Sequence, residues 1–220
     1  MKKLLVLGAG TAGTMVVNKL RPRLPQSEWS ITVVDPNPDH HYQPGYLFLP
    51  FGIYEPKDLV KPKRDFIPPG VEYVAGEIDL VEADQQQVVL TDGSKLDYDY
   101  LVIATGTSPR PDQTPGLDGP EYGESIHDFY TLEGATRLRD KLRTWGGGRL
   151  VVQVVEMPIK CPVAPLEFSF LADWHFTEAG IRDQVEMVYV TPLPGAFTKP
   201  VAARHLGHML DERKIALESD

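Results

Sequence analysis

The run KLLVLGAGTAG, residues 3–13, constrains the chain more than any other stretch. A short apolar strand ends in Gly8, Gly10 and Gly13, spaced G-x-G-x-x-G, and TMVVNKL continues with helical character. Each glycine answers a steric need of a turn that holds a dinucleotide. Gly8 allows the tight turn, Gly10 lets the backbone approach a pyrophosphate, and Gly13 lets helix and strand pack closely. The helix start at Thr11 and Ala12 offers N–H groups and partial positive charge to phosphates. The next strand, WSITVVD, ends in Asp35, 22 residues past Gly13 and just before Pro36. A carboxylate there suits the ribose hydroxyls and repels the 2′-phosphate of NADP. Glycine-rich turns without any ligand exist, but the strand, the helix and the acid together make an adenine dinucleotide the expectation.

The pattern of strand, helix and strand recurs after residue 113, in RLVVQVV, in the helix near 165–179, in VEMVYVTP and in KPVAARHLGHMLDERK. Alternation of this kind predicts an α/β fold with parallel sheets. We expect a FAD/NAD(P)-binding Rossmann-like architecture of two dinucleotide-binding-type domains, residues 1–112 and 113–220, the second incomplete. The Pro/Gly-rich stretch SPRPDQTPGLDGPEYG carries the boundary. Residues 71–106 predict three strand segments, with a hairpin at Asp92-Gly93. The proline- and aromatic-rich run from Pro36 to Pro69 is long for an idle connection and predicts a binding loop or cover. In LEFSFLADWHF, Leu166, Phe170 and Trp174 recur at helical spacing and predict the core face of a helix.

FAD and NAD are told apart further along. YLVIATGTSP ends a hydrophobic strand in Ala104-Thr105-Gly106. This resembles the second fingerprint of flavoproteins with two dinucleotide-binding domains, in which that strand end approaches FAD. The same resemblance places the backbone near Ile78 beside the adenine. Plain NAD dehydrogenases lack the second motif, so FAD is the expected cofactor. The loop HHYQPGY follows the Asp35 strand and offers Gln43 and Pro44 as flavin contacts; otherwise it is an aromatic-packed loop.

A second dinucleotide would need a second glycine turn, after RLVVQVV. The turn there is EMPIKCPVAP, without glycine, and Gly146–Gly148 precede the strand instead. NADH binding is therefore disfavoured. The turn carries Cys161, the single cysteine of the chain. A thiol just before a helix start and beside Lys160 is expected to have a lowered pKa and nucleophilic character. The alternative is a small buried hydrophobe, the common fate of free cysteines.

LVVQVVEMPIKCPVAPLEFSFLADWHF, HHYQPGYLFLPFG and TPLPGAFTKP, with the FAD motifs, resemble sulfide:quinone oxidoreductase-like flavoproteins of the pyridine nucleotide-disulfide oxidoreductase family. The resemblance covers essentially the whole chain, and K-C-P-x-A-P is its most specific part. It implies that Cys161 is a redox cysteine working with a second, C-terminal cysteine near the flavin. Sulfide, or another small sulfur species, would be oxidised on these thiols, with electrons passing through FAD to quinone. Two departures stand out. Where many members have a further cysteine, in the segment matching ESIHDFYT, this chain has His127. The family's chain is also longer: its C-terminal Gly-Asp segment, partner cysteine and membrane-contacting helices have no counterpart here. The expectation is a fragment, a partial product or one piece of a split polypeptide. Its partner would be a second copy or a complementary C-terminal chain, with membrane contact through the absent part.

Composition limits the other classes. A net charge of −9 disfavours nucleic acid as a partner, and the short KPKRDF cluster (Lys61, Lys63, Arg64) has the character of a solvated surface. No apolar run is long enough to span a bilayer, and the apolar start after MKK is too short for a signal peptide. One cysteine supports no disulfide framework, so a reducing, cytoplasmic setting is expected; the resemblance adds a peripheral place at the membrane. The absence of C-x-x-C excludes dithiol reductases. His40-His41 and His205-x-x-His208 have no convergent carboxylate or cysteine, so no metal is expected. The alternatives are an NADH:quinone oxidoreductase of the same fold and a non-catalytic nucleotide-binding fragment.

Overall fold

A computed structural model describes residues 1–219. The chain divides into two compact units, Met1–Gln43 with Glu55–Pro109, and Pro44–Tyr54 with Arg110–Asp220. The passage at 109/110 falls inside the Pro/Gly-rich stretch. Residues 44–54 join the second unit, which nothing in the local sequence announces.

The first unit contains β1 (Lys2–Leu7), α1 (Thr11–Leu20), β2 (Trp29–Val34), β3 (Asp39–His41), β4 (Val60–Pro62), β5 (Glu72–Val74), β6 (Ile78–Glu82), β7 (Gln87–Leu90), β8 (Lys95–Asp97) and β9 (Tyr100–Ile103). Its parallel sheet runs β5-β2-β1-β9. Leu4, Leu5, Val6 and Leu7 are all buried, as a central parallel strand covered on both faces requires. Each such side chain, fully buried, contributes roughly 1.5–3 kcal/mol. Because β2 pairs on one side of β1 and β9 on the other, the strand order reverses at β1, the point beyond whose carboxyl end open α/β sheets bind ligands.

Residues 71–106 hold five strands rather than three. The first expected segment breaks at Ala75-Gly76-Glu77: β5 joins the parallel sheet, while β6 opens the antiparallel meander β6-β7-β8. A side chain at Gly76 would lie 2.6 Å from Cδ1 of Leu90, the movable end of a side chain. The hairpin forms at Asp92-Gly93 as expected, with Gly93 at φ +84°. The 36–69 run holds the β3–β4 pair and several short 3-10 turns.

The second unit contains α2 (Leu132–Thr144), β10 (Gly148–Gln153), α3 (Ala164–Glu178), β11 (Val185–Thr191), α4 (Pro200–Glu212) and β12 (Ile215–Ser219). The sheet β10-β11-β12 is parallel. β12 went unpredicted. In α3 the buried positions are Ala164, Pro165, Leu166, Phe168, Ser169, Ala172 and Phe176, whereas Trp174 is 47% exposed. The expected row from Leu166 to Trp174 drifts around the helix, and apolar residues on nearly every side leave the period ambiguous. Packing chooses the face instead. Phe168 stacks on Phe129 at 4.7 Å and meets Phe51, from the 44–54 segment, at 5.1 Å.

Candidate functional site

The turn after β1 is built from its three glycines. Gly8 sits at φ +92°, and a side chain there would come within 2.3 Å of the Ala104 carbonyl oxygen. One on Gly13 would lie 1.8 Å from the Gly8 carbonyl oxygen. Around Gly10 nothing lies within 4 Å. Two glycines thus answer to packing and the third faces open space. Thr11 and Ala12 are exposed at the start of α1, whose first turn has no acidic residue and no capping side chain. The Thr14 hydroxyl points inward and donates to the Gly10 carbonyl at 2.8 Å.

β9 delivers its end to the same place. The Ala104 N–H donates to the Leu7 carbonyl at 2.7 Å, and Thr105 and Gly106 follow, exposed. Gly106 is at φ +76° with open space around it. From β2 comes Asp35, with Pro36 exposed behind it. Oδ2 of Asp35 accepts the Ala9 N–H at 2.7 Å, and Oδ1 accepts the Asn37 N–H at 2.9 Å. Lys63 Nζ stands 2.6 Å from Oδ1, with 4% of its side chain exposed. The solvated-surface reading of KPKRDF therefore fails at Lys63. Tyr73 donates from its hydroxyl to the Asp35 carbonyl at 3.0 Å. Burial, then the Asp35 charge, raises that phenol above its ordinary range.

Gly8, Gly10, Thr11, Ala12, Gly13, Asp35, Ala104, Thr105 and Gly106 thus stand around one end of one sheet. Ile78 opens β6, pairs with Leu90 and packs in the apolar cluster of Leu5, Leu7 and Val34. Gln43 is exposed at the end of a first-unit stretch, and Pro44 belongs to the second unit. Lys63 and Tyr73 were missed. No local pattern marks them; long-range pairing alone brings them to Asp35.

In the second unit, Cys161 lies in the turn between β10 and α3. It is exposed, which rejects the buried-hydrophobe alternative. Its backbone is left-handed, φ +52°. Its carbonyl accepts the Ala164 N–H at 3.0 Å and the Tyr130 hydroxyl at 3.4 Å. Burial, followed by the nearby thiol, raises the Tyr130 phenol far above its usual value. Asp128 fixes this neighbour by accepting the N–H groups of Tyr130 and Thr131 at 2.9 and 2.8 Å. Nε2 of His127 lies 3.1 Å from the Glu124 carbonyl, and burial lowers its pKa. His208 meets Glu212 at 3.2 Å and His40 packs on Phe66 at 4.4 Å. Among the described residues no three His, Cys, Asp or Glu side chains gather as a metal site.

Residues 2–155 match the pyridine nucleotide-disulphide oxidoreductase family. The chain belongs to that family. It is 27% identical over 214 residues to the mitochondrial sulfide:quinone oxidoreductase of Dictyostelium discoideum, covering 97% of this chain and 47% of the relative. A type II NADH:quinone oxidoreductase of Staphylococcus haemolyticus is 30% identical over 152 residues, 67% of this chain and 37% of that protein. The crystal structure of the Aquifex aeolicus sulfide:quinone oxidoreductase superposes with a TM-score of 0.84 at 24% identity, over 100% of this chain and 51% of that one. The chain spans about half the length of the curated relatives it matches.

FAD is the cofactor of this family, and the turn fits it. Gly10 leaves open space beside the turn, α1 starts without a capping side chain or an acid, and the Asp35 carboxylate lies against the Ala9 N–H, features compatible with a dinucleotide. The fold is the FAD/NAD(P)-binding Rossmann-like one. No helix among the described residues is long and apolar enough to cross a membrane.

Proposed function

We propose that this chain is the FAD-binding part of a sulfide:quinone oxidoreductase-type enzyme, with Cys161 as its sulfur-reactive thiol. The observation that carries the reading is an exposed cysteine in a strand-to-helix turn without glycine, the place where a second dinucleotide would need one. The likeness to sulfide:quinone oxidoreductases over nearly the full chain supports it.

FAD, when bound, supplies a two-electron acceptor that quinone reoxidises. Gly8, Gly10 and Gly13 with the start of α1 hold the diphosphate, Asp35 and Pro36 the ribose, and Ala104-Thr105-Gly106 the second approach; Ile78, Gln43 and Pro44 are further proposed contacts. The Cys161 thiolate forms a sulfur–sulfur bond to hydrosulfide, which gives up its proton and two electrons. Quinone takes up those electrons with two protons. A quinone substrate is consistent with a peripheral position at a membrane, and the lone cysteine with a reducing, cytoplasmic side of it.

The staphylococcal relatives favour a second reading, an NADH:quinone oxidoreductase in which Cys161 has no part. Anaerobic addition of sulfide or NADH to the flavin-loaded chain separates the two. Bleaching of the flavin by sulfide, lost in Cys161→Ser, supports the first reading. Bleaching by NADH alone, unchanged in Cys161→Ser, overturns it.

A further inference from the structure

Lys63 is the one buried lysine among the described residues, 3% exposed. An isolated ammonium is costly to bury, so a lysine in such a place needs a partner. Its partner is Asp35, at 2.6 Å. The backbone holds the same geometry: the Lys63 N–H donates to the Pro38 carbonyl at 2.8 Å, and β3 pairs with β4 just before Lys63. Arg64, next along, lies 5.1 Å over the ring of Tyr73, whose hydroxyl grips the Asp35 carbonyl. Residues 35–38 and 63–64 are thus fastened together at the end of β2.

A carboxylate has about four acceptor positions. Lys63 Nζ and the Asn37 N–H occupy Oδ1, and the Ala9 N–H occupies one position of Oδ2. One remains, on Oδ2. We infer that Lys63 is a cofactor-positioning residue: it holds Asp35 in one orientation, so that Oδ2 takes a single hydroxyl of the adenosine ribose of FAD. The inference rests on the family's cofactor and not on the sulfur chemistry proposed for Cys161.

The test is a binding experiment on the flavin-free chain. FAD is titrated by quenching of its fluorescence, and ADP, 2′-deoxy-ADP and 3′-deoxy-ADP compete with it. In the wild type, loss of the contacted hydroxyl weakens ADP by about tenfold, the value of one hydrogen bond to a charged group. In Lys63→Met, ADP itself weakens by about tenfold, and its preference over the deoxy analogue falls to about one. Should Lys63→Met fail to fold, Lys63→Gln, which keeps a polar head but no charge and leaves Asp35 in place, carries the same comparison. A hydroxyl preference that survives removal of Lys63 overturns the inference. So does a wild-type chain that ignores both hydroxyls or takes up neither FAD nor ADP. Sulfide turnover has no bearing on any of these outcomes.

Discussion

Gly13 packs against Gly8 so closely that a methyl group on it would lie 1.8 Å from the Gly8 carbonyl oxygen. Backbone cannot yield as a flexible side chain can. Gly13→Ala is therefore expected to destabilise the chain by about 2 kcal/mol, the scale of an overpacked core. Gly10→Ala should leave stability unchanged, because open space surrounds Gly10. It should still weaken FAD about tenfold or more by obstructing the approach of the diphosphate. Urea denaturation beside flavin titration separates the two effects.

Cys161 is exposed, so its thiol should react in the native state. Ellman's reagent is expected to release one equivalent per chain before any denaturant is added. Cys161→Ser should abolish that signal and leave the flavin content unchanged. A thiol that reacts only after unfolding would contradict the exposed turn.

Arg182 ties three segments together. Its guanidinium donates to Asp173 Oδ1 at 2.6 Å, to the Val185 carbonyl at 2.8 Å and to the Arg213 carbonyl at 2.5 Å. These bonds join α3, the start of β11 and the connection from α4 to β12. Arg182→Ala should cost about 3 kcal/mol, since a part-buried carboxylate and two carbonyls lose a charged donor. Arg182→Lys should recover little, because a point charge cannot reach all three acceptors. Denaturant midpoints of the two variants check both expectations.

Burial lowers the pKa of His175 below its ordinary 6.5. Phe51 and Phe176 flank its ring at 5.7 and 5.5 Å. The unfolded chain then binds the proton more readily than the folded one. The stability linked to this group is full above pH 6.5 and is lost as pH falls through the depressed folded value. His175→Phe should flatten the decline in stability on acidification. Denaturation midpoints from neutral to mildly acidic pH, compared with wild type, give the answer. An unchanged slope would remove His175 from the pH response.

What could be foreseen was chemistry carried by neighbours in sequence. The strand, glycine turn and helix of residues 3–20, the Asp92-Gly93 hairpin and the turn holding Cys161 each depend on a few adjacent residues. What could not be foreseen depends on partners far along the chain. Asp35 and Lys63 are 28 residues apart, and the antiparallel pairing of β3 with β4, from Asp39 against Pro62 to His41 against Val60, brings their segments together. Tyr130 reaches the Cys161 carbonyl across 31 residues. Trp174 was misplaced because α3 is apolar on most sides, so periodicity had little contrast to report. β12 is a five-residue strand whose only evidence is its parallel partner, β11.

The segment Pro44–Tyr54 has a practical bearing on any attempt to divide this protein. The backbone passes from one unit to the other at 43/44, 54/55 and 109/110. A truncation after Pro109 would carry Leu47 and Phe51 away from the cluster that buries them and leave both side chains wet. Such a piece is set to clump in solution even if its glycine turn is sound. Isolating the flavin-binding half calls for replacing that eleven-residue excursion with a short polar bridge, because a stop codon alone cuts through the wrong seam.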